Sequence, residues 1–125
     1  MEDEVRLAVP ATAEFLRLGR VTASGLASRL GFTYDEIDDL RLAIDELCSS
    51  LIAHGSGEGT VELRYGVSHD ALRVSGVATF ADTTIKAQIN EWSTKILDAL
   101  VDEHSIVESD RGPSFLLVKR RASSS

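Results

Sequence analysis

The sequence of 125 residues contains little that would cross-link or anchor the chain. It has one cysteine, Cys48, which excludes an internal disulfide framework and fits a reducing cytosol. No apolar run approaches the length that spans a bilayer, and the opening residues MEDE are acidic where a secretory signal peptide is basic. We therefore expect a cytoplasmic protein with no membrane partner.

Basic residues are also scarce. Thirteen Lys and Arg stand against twenty Asp and Glu, which gives a net charge of −7. All twenty acidic residues lie in residues 1–110, so only the last fifteen residues form a basic stretch. A protein with a net negative charge repels the phosphate backbone of nucleic acids, so we expect no direct nucleic acid binding.

Composition indicates an ordinary folded domain. Hydrophobic residues make up 43% of the chain and charged residues 26%, which is typical of globular proteins. We predict a single domain over residues 1–121 and a frayed tail over 122–125.

Hydropathy periodicity predicts the element order β-α-α-β-β-α-β-β. Consecutive strands usually pair antiparallel, so the expected fold is α+β: a two-layer α/β sandwich with helices on one face of a mixed, mainly antiparallel sheet. Residues 78–90 show weak periodicity and are predicted as a loop or short helix. The predicted strands are residues 4–9, 60–65, 71–77, 104–107 and 114–118, and the predicted helices are 12–30, 33–54 and about 92–101.

The helix ends and core stripes can be assigned from the same pattern. Thr12 is a possible N-cap and Gly31 a C-terminal glycine for the first helix, while Thr33 and Glu36 form a capping box for the second. Trp92, at the head of the third helix, is predicted to anchor the core rather than an interface. The predicted core stripes are Phe15, Leu18, Val21, Leu26 and Leu30 in the first helix, and Ile37, Leu40, Ile44, Leu47 and Leu51 in the second.

One edge of the second helix is polar. Glu46, Ser50 and His54 are spaced four residues apart, so they lie in one line along the helix. They form either a solvated flank beside the core or a carboxylate base with two polar neighbours in a pocket. Cys48 falls near the core stripe, which favours a buried, inert thiol.

Two arginines form the only other candidate site. Arg17 and Arg20 are three residues apart on the first helix and create a basic spot on an acidic protein. They are either ordinary surface residues or part of a protein-binding surface.

Metal and phosphate sites have little support. His54, His69 and His104 are far apart in the chain and no metal-ligand spacing is present, so no metal site is predicted. The glycines of residues 55–59 follow a helix and precede a strand, which is typical of a helix end and turn rather than a phosphate loop.

Three segments resemble the RsbW/SpoIIAB anti-sigma factors of the histidine-kinase-like ATPase (GHKL) superfamily. They are AEFLRLGRVTASG at 13–25, TYDEIDD at 33–39 and LAIDE at 42–46; further matches are ALVDE at 99–103 and GPSFLLVK at 112–119. The resemblance implies the Bergerat-type α/β sandwich of that superfamily. It also implies a homodimer that holds an alternative sigma factor and phosphorylates a STAS-domain anti-anti-sigma factor with Mg-ATP.

The nucleotide motifs of that family are altered in this chain. The resemblance implies that Glu46 is the catalytic base of a Glu-x-x-x-Asn box, but Ser50 replaces the Asn that holds magnesium. The Asp that binds adenine is absent from residues 75–80, the Gly-x-Gly lid falls at residues 91–93 as Glu-Trp-Ser, and Pro113 replaces a threonine. The expected cofactor is therefore none.

The resemblance leads to three hypotheses. The first is an anti-sigma factor with an eroded ATP site, released by a STAS-domain antagonist and contacting its partner through Arg17 and Arg20. The second is an active serine/threonine kinase, with Glu46 as base, Ser50 as substitute ligand and Mg-ATP as cofactor. The third is a dimerising scaffold of the same fold that binds another regulator.

Overall fold

Five strands with alternating apolar and polar side chains form one antiparallel sheet in the computed structural model, which describes residues 3–52, 59–80 and 91–122. The strand order is β1-β2-β3-β5-β4, and every pairing between the described strands is antiparallel. The predicted α+β class and element order are confirmed. The elements are β1 Asp3–Pro10, α1 Ala13–Arg29, α2 Tyr34–Ile52, β2 Gly59–Val67, β3 Ala71–Phe80, α3 Glu91–Leu100, β4 Glu103–Ser109 and β5 Gly112–Arg120.

The helices cover one face of the sheet. On β2 the alternate residues Val61, Leu63 and Tyr65 are fully buried in the core that the helices share. Residues of the opposite parity, such as Arg64 on β2 and Arg73 on β3, are exposed on the outer face. A sheet with one apolar and one polar face needs a helical layer on the apolar side only, which gives the two-layer architecture.

Helix α2 matches its predicted pattern. Its start is a capping box, because the backbone N–H of Glu36 donates to Thr33 Oγ1 (3.2 Å) and that of Thr33 donates to Glu36 Oε1 (2.7 Å). Ile37 is partly buried against the core. The other members of the predicted stripe are fully buried: Leu40, Ile44, Leu47 and Leu51.

The buried face of helix α1 differs from the predicted one. Phe15, Leu18 and Val21 are 40%, 47% and 63% exposed, so their assignment to the core is wrong. The reason is a close approach of α1 to β2 through small residues, since a Cβ on Gly19 would lie 2.6 Å from Leu63 Cδ1. The residues of α1 that are buried are Leu16, Gly19, Ala23 and Ala27, while Leu26 and Leu30 pack partly against the core.

The ends of α1 match the prediction in position. Thr12 takes the N-cap position with an extended backbone, but its hydroxyl makes no capping bond and is buried with no hydrogen-bond partner among the described residues. At the other end Gly31 has φ +80, and the N–H of Phe32 donates to the carbonyl of Ala27 (3.1 Å). This is a Schellman-type end, which favours glycine because the left-handed backbone disfavours a side chain.

The third helix is shorter than α1 and α2 and differs from the prediction at its head. Leu97 is fully buried, but Trp92 is 70% exposed, so its assignment as a core anchor is wrong. Residues 78–80 of the predicted loop belong to β3, and residues 81–90 lie outside the described part of the chain, as do 53–58 and residues 123–125 of the tail predicted over 122–125. None of the described helices is long and apolar enough to cross a membrane.

The segment after β5 ties three elements together. The backbone N–H of Arg121 donates to the carbonyl of Asp70 (2.7 Å), and the Arg121 guanidinium donates to the carbonyl of Leu30 (3.1 Å). The N–H of Ala122 donates to Glu36 Oε2 (2.7 Å). The β2–β3 turn, the end of α1 and the start of α2 therefore meet at one point.

Candidate functional site

The polar edge of α2 meets α3. The hydroxyl of Ser50 is buried and donates to the backbone carbonyl of Glu46 (2.9 Å), while the Glu46 carboxylate accepts a hydrogen bond from the Ser93 hydroxyl. The structure thus brings Glu46 and Ser50 together, and His54 lies outside the described residues. Ser93 was missed as a partner, although its spacing of four residues from Leu97 places it on the buried face of α3.

These groups differ from the expected Mg-ATP site in one ligand. A hydroxyl stands where the resemblance implies an amide oxygen on magnesium, and Ser50 donates to its own helix while the Glu46 carboxylate accepts from Ser93. In the described ranges, no group of three or more His, Cys, Asp or Glu side chains could hold a metal ion. The hydrogen bond between Glu46 and Ser93 connects α2 to α3.

Gly76 and Pro113, at two further altered nucleotide positions, have packing roles. Gly76 lies within β3, where a Cβ would come 2.5 Å from Phe115 Cε2 and 2.9 Å from Leu63 Cδ2. Its lack of a side chain makes room for Phe115 in the core. Residues 91–93 form the first turn of α3, and Pro113 is fully buried on β5.

Cys48 is an inert core thiol. It is 3% exposed, and burial raises its pKa to about 12, with a further contribution from the negative charge of Asp45. A thiol with such a pKa carries almost no thiolate at neutral pH, so it has no nucleophilic role. The predicted buried position is confirmed.

Arg17 and Arg20 line a groove between α1 and α2. Arg20 Nη1 lies 2.7 Å from Asp45 Oδ2, so this ion pair spans the two helices. Arg17 is exposed and forms no ion pair with any described residue. We call the two hollows on either side of the Arg20–Asp45 pair the α1–α2 groove: one of about 250 Å³ is lined by Ala13, Leu16, Arg17, Arg20, Asp45, Cys48, Ser49 and Ile52, and one of about 270 Å³ by Arg20, Asp38, Arg41, Leu42 and Asp45.

Large exposed apolar side chains occur on both helices that form this groove. Leu42 of α2 lines the second hollow and is largely exposed, and α1 presents three further large apolar side chains to solvent. Single exposed apolar residues are ordinary, but several large ones on one face of a helix mark an interaction surface. The α1 residues are Phe15, Leu18 and Val21, which we call the apolar face of α1.

The chain belongs to the histidine kinase-like ATPase domain family, whose model matches residues 9–118. Its curated relatives within that family are of the RsbW type, as the sequence motifs predicted. A "Serine-protein kinase RsbW" of Bacillus subtilis is 44% identical over 58% of this chain and 47% of that protein. One of Bacillus mycoides is 26% identical over 94% of this chain and 84% of that protein.

A solved structure has the same fold. The crystal structure of the RsbU and RsbW domains of a Mycobacterium tuberculosis protein matches with a TM-score of 0.73 and 19% identity, over 98% of this chain and 34% of that one. The matched part of this chain covers 47% of the length of the Bacillus subtilis relative, which is about half.

Proposed function

We propose that this chain is a cytoplasmic anti-sigma factor that sequesters an alternative sigma factor and is regulated by partner switching with a STAS-domain anti-anti-sigma factor. One observation carries the proposal: Arg17 and Arg20 line the α1–α2 groove together with the exposed Leu42, on a protein of net charge −7. The RsbW-type relatives supply the partner class.

The composition of this surface favours a protein partner. Large apolar side chains and arginine are enriched where protein interfaces are buried. The apolar face of α1 contributes little to the core, since the helix packs on the sheet through Gly19, Ala23 and Ala27. A binding role explains why α1 keeps large apolar residues in water.

Release of the sigma factor in this proposal does not use phosphate transfer. Its support is that Ser50 replaces the amide ligand that the resemblance implies for magnesium, while the Glu46 carboxylate accepts a hydrogen bond from Ser93. Competition between the STAS protein and the sigma factor for the chain is then the regulatory step.

A homodimer is part of the proposal, and β1 offers the edge for it. Among the described strands β1 pairs only with β2, so its other edge is open. In antiparallel pairing of two copies centred on Val5, Glu4 of one copy faces Arg6 of the other. Sedimentation should detect a dimer that Arg6→Glu weakens and that the double variant E4R/R6E restores; equal weakening by both variants would contradict this register.

The main test measures sigma binding directly. Each alternative sigma factor of the source organism is titrated into the purified chain by calorimetry, with Arg20→Glu as the test variant. We expect R20E to weaken binding at least about tenfold, because charge reversal at a buried interface charge is costly. The matched control is Arg73→Glu on the outer sheet face, which makes the same charge change far from the groove and should bind normally.

Intact sigma binding by R20E would overturn this placement of the interface. Failure of every sigma factor to bind the wild-type chain would favour a scaffold that binds another regulator. Thermal unfolding of both variants checks that the domain still folds.

A kinase is the second candidate, because the curated relatives carry that name and Glu46 is present. It predicts Mg-ATP binding and ATP-dependent phosphorylation of a STAS protein that Glu46→Ala abolishes. We expect no Mg-ATP binding at millimolar concentration in calorimetry. Micromolar binding with Glu46-dependent transfer would make the kinase the leading function.

A further inference from the structure

We propose that Asp45 is an internal competitor for the partner: its carboxylate occupies Arg20 in the free chain, and a carboxylate of the bound protein takes its place. The inference rests on the proposed function, since it concerns the same groove and the same arginine. The inference goes beyond that function in two ways. It gives the chemistry of the partner segment, and it identifies a carboxylate of this chain that opposes binding of that segment.

The Arg20–Asp45 pair is placed to be exchangeable. The two side chains meet at 2.7 Å across the groove, and they are 28% and 44% exposed. Water therefore reaches both groups, and pairs of this exposure are worth little to stability. A pair of this kind can open at small cost when another carboxylate is offered to the guanidinium.

The pair also lines both hollows of the groove. The hollow of about 250 Å³ and that of about 270 Å³ share Arg20 and Asp45 as lining residues. A partner segment that reaches Arg20 therefore lies next to both hollows. Their large apolar lining residues are Leu16 and Ile52 in the first hollow and Leu42 in the second.

The lining defines the kind of segment that fits. Arg20 favours a carboxylate, as does Arg17, which forms no ion pair within the described ranges, since a guanidinium binds carboxylates through paired N–H donors. Leu16, Ile52 and Leu42 favour an apolar side chain next to it. The occupant is therefore a protein segment, here of the sigma factor, with an acidic residue close to a large apolar one.

Substitution of Asp45 should strengthen binding, which is the opposite of the usual effect at an interface. We expect Asp45→Asn to bind the sigma factor about threefold to fivefold more tightly, the factor expected from a partly exposed ion pair. The matched control is Asp38→Asn, because Asp38 lines the same groove and pairs with Arg41 at 3.6 Å but does not contact Arg20. Both variants remove one negative charge, so the difference between them isolates release of Arg20.

A second background tests the mechanism. With Arg20→Gln, the gain from D45N should vanish, because there is no guanidinium left to release. Tighter binding by D45N that persists in the R20Q background would overturn the inference, and so would equal effects of D45N and D38N. In either case, sigma binding by the wild-type chain leaves the proposed function intact. No sigma binding by the wild-type chain would overturn both.

A measurement without any partner checks the ion pair itself. NMR of the Arg20 guanidinium should show hindered rotation in the free wild-type chain and faster rotation in D45N, with D38N like wild type. Equal rotation in wild type and D45N would overturn the inference.

Discussion

Helices α1 and α2 use apolar residues in opposite ways. In α2 the large side chains Leu40, Ile44 and Leu47 are fully buried, whereas in α1 the large side chains of the apolar face lie in solvent and the small residues Gly19, Ala23 and Ala27 are buried. Both helices have an amphipathic pattern, but only in α2 does the stripe of large apolar residues face the core.

The difference separates stability from binding. Large buried side chains dominate the free energy of folding, so α2 holds the core together. In α1 the small residues allow close packing on β2 and leave the large ones available to a partner.

The largest expected contrast is between Leu47→Ala and Leu18→Ala. The buried L47A change should lower the free energy of unfolding by about 3 kcal/mol through lost burial and a cavity. The exposed L18A change should stay within about 0.5 kcal/mol. Urea unfolding at low protein concentration measures both, and a large loss for L18A would mean that a second chain covers this face.

The two glycines of α1 should respond with opposite signs. Gly19→Ala places a Cβ 2.6 Å from Leu63 Cδ1, which lies in the fully buried core, so we expect a loss of about 1 to 3 kcal/mol. Gly25→Ala meets nothing within 4 Å and should gain about 0.5 to 1 kcal/mol from helix propensity. Thermal unfolding compares them, and a gain from G19A would show that α1 does not pack this closely.

The contact between Tyr65 and α1 gives a smaller effect. The buried Tyr65 hydroxyl donates to the carbonyl of Gly19 (2.9 Å), and burial raises the pKa of this phenol. Tyr65→Phe should cost about 1 kcal/mol, a typical value for one hydrogen bond. Denaturant unfolding measures it, and an unchanged midpoint would mean the bond contributes nothing.

The smallest effect concerns pH at the helix starts. Burial acts to raise the pKa of Glu36, but hydrogen bonds from Thr33 and Ala122 outweigh it and lower the pKa below 4.5. Stability from the Glu36 charge is therefore present above about pH 4.5 and is lost as the pH falls toward the lowered value.

Glu36→Gln keeps a capping side chain but cannot titrate, so its unfolding midpoint should depend less on pH in acid than that of wild type. Thr12 forms no side-chain cap on α1, so no matching acid effect is expected there. Parallel pH profiles for wild type and E36Q would contradict the assignment.

The sequence allowed most of the fold to be predicted, because its signals are local. The capping box at Thr33, the glycine at Gly31 and the alternation in the strands each act within a few residues. The stripe of α2 was identified because its buried residues are also its large apolar ones.

The errors arose where long-range packing decides. Small residues carry little hydropathy signal, so the face of α1 with Gly19 and Ala23 could not be recognised as the buried one. The same holds for the candidate site: Arg17 and Arg20 were identified as a basic spot, but Asp45 was not recognised as a partner of Arg20. Its pairing with Arg20 joins residues 25 positions apart and has no local signature.

The strand order has a consequence for synthesis of the chain. Since β5 lies between β3 and β4, β4 is made before the strand that attaches it to the sheet. The contacts of Arg121 and Ala122 with Asp70, Leu30 and Glu36 form later still. A nascent chain that has reached only β4 therefore has an unpaired strand edge on β3. It also lacks the contacts that hold the end of α1 beside the start of α2. Both are completed only when β5 and the two residues after it have been made.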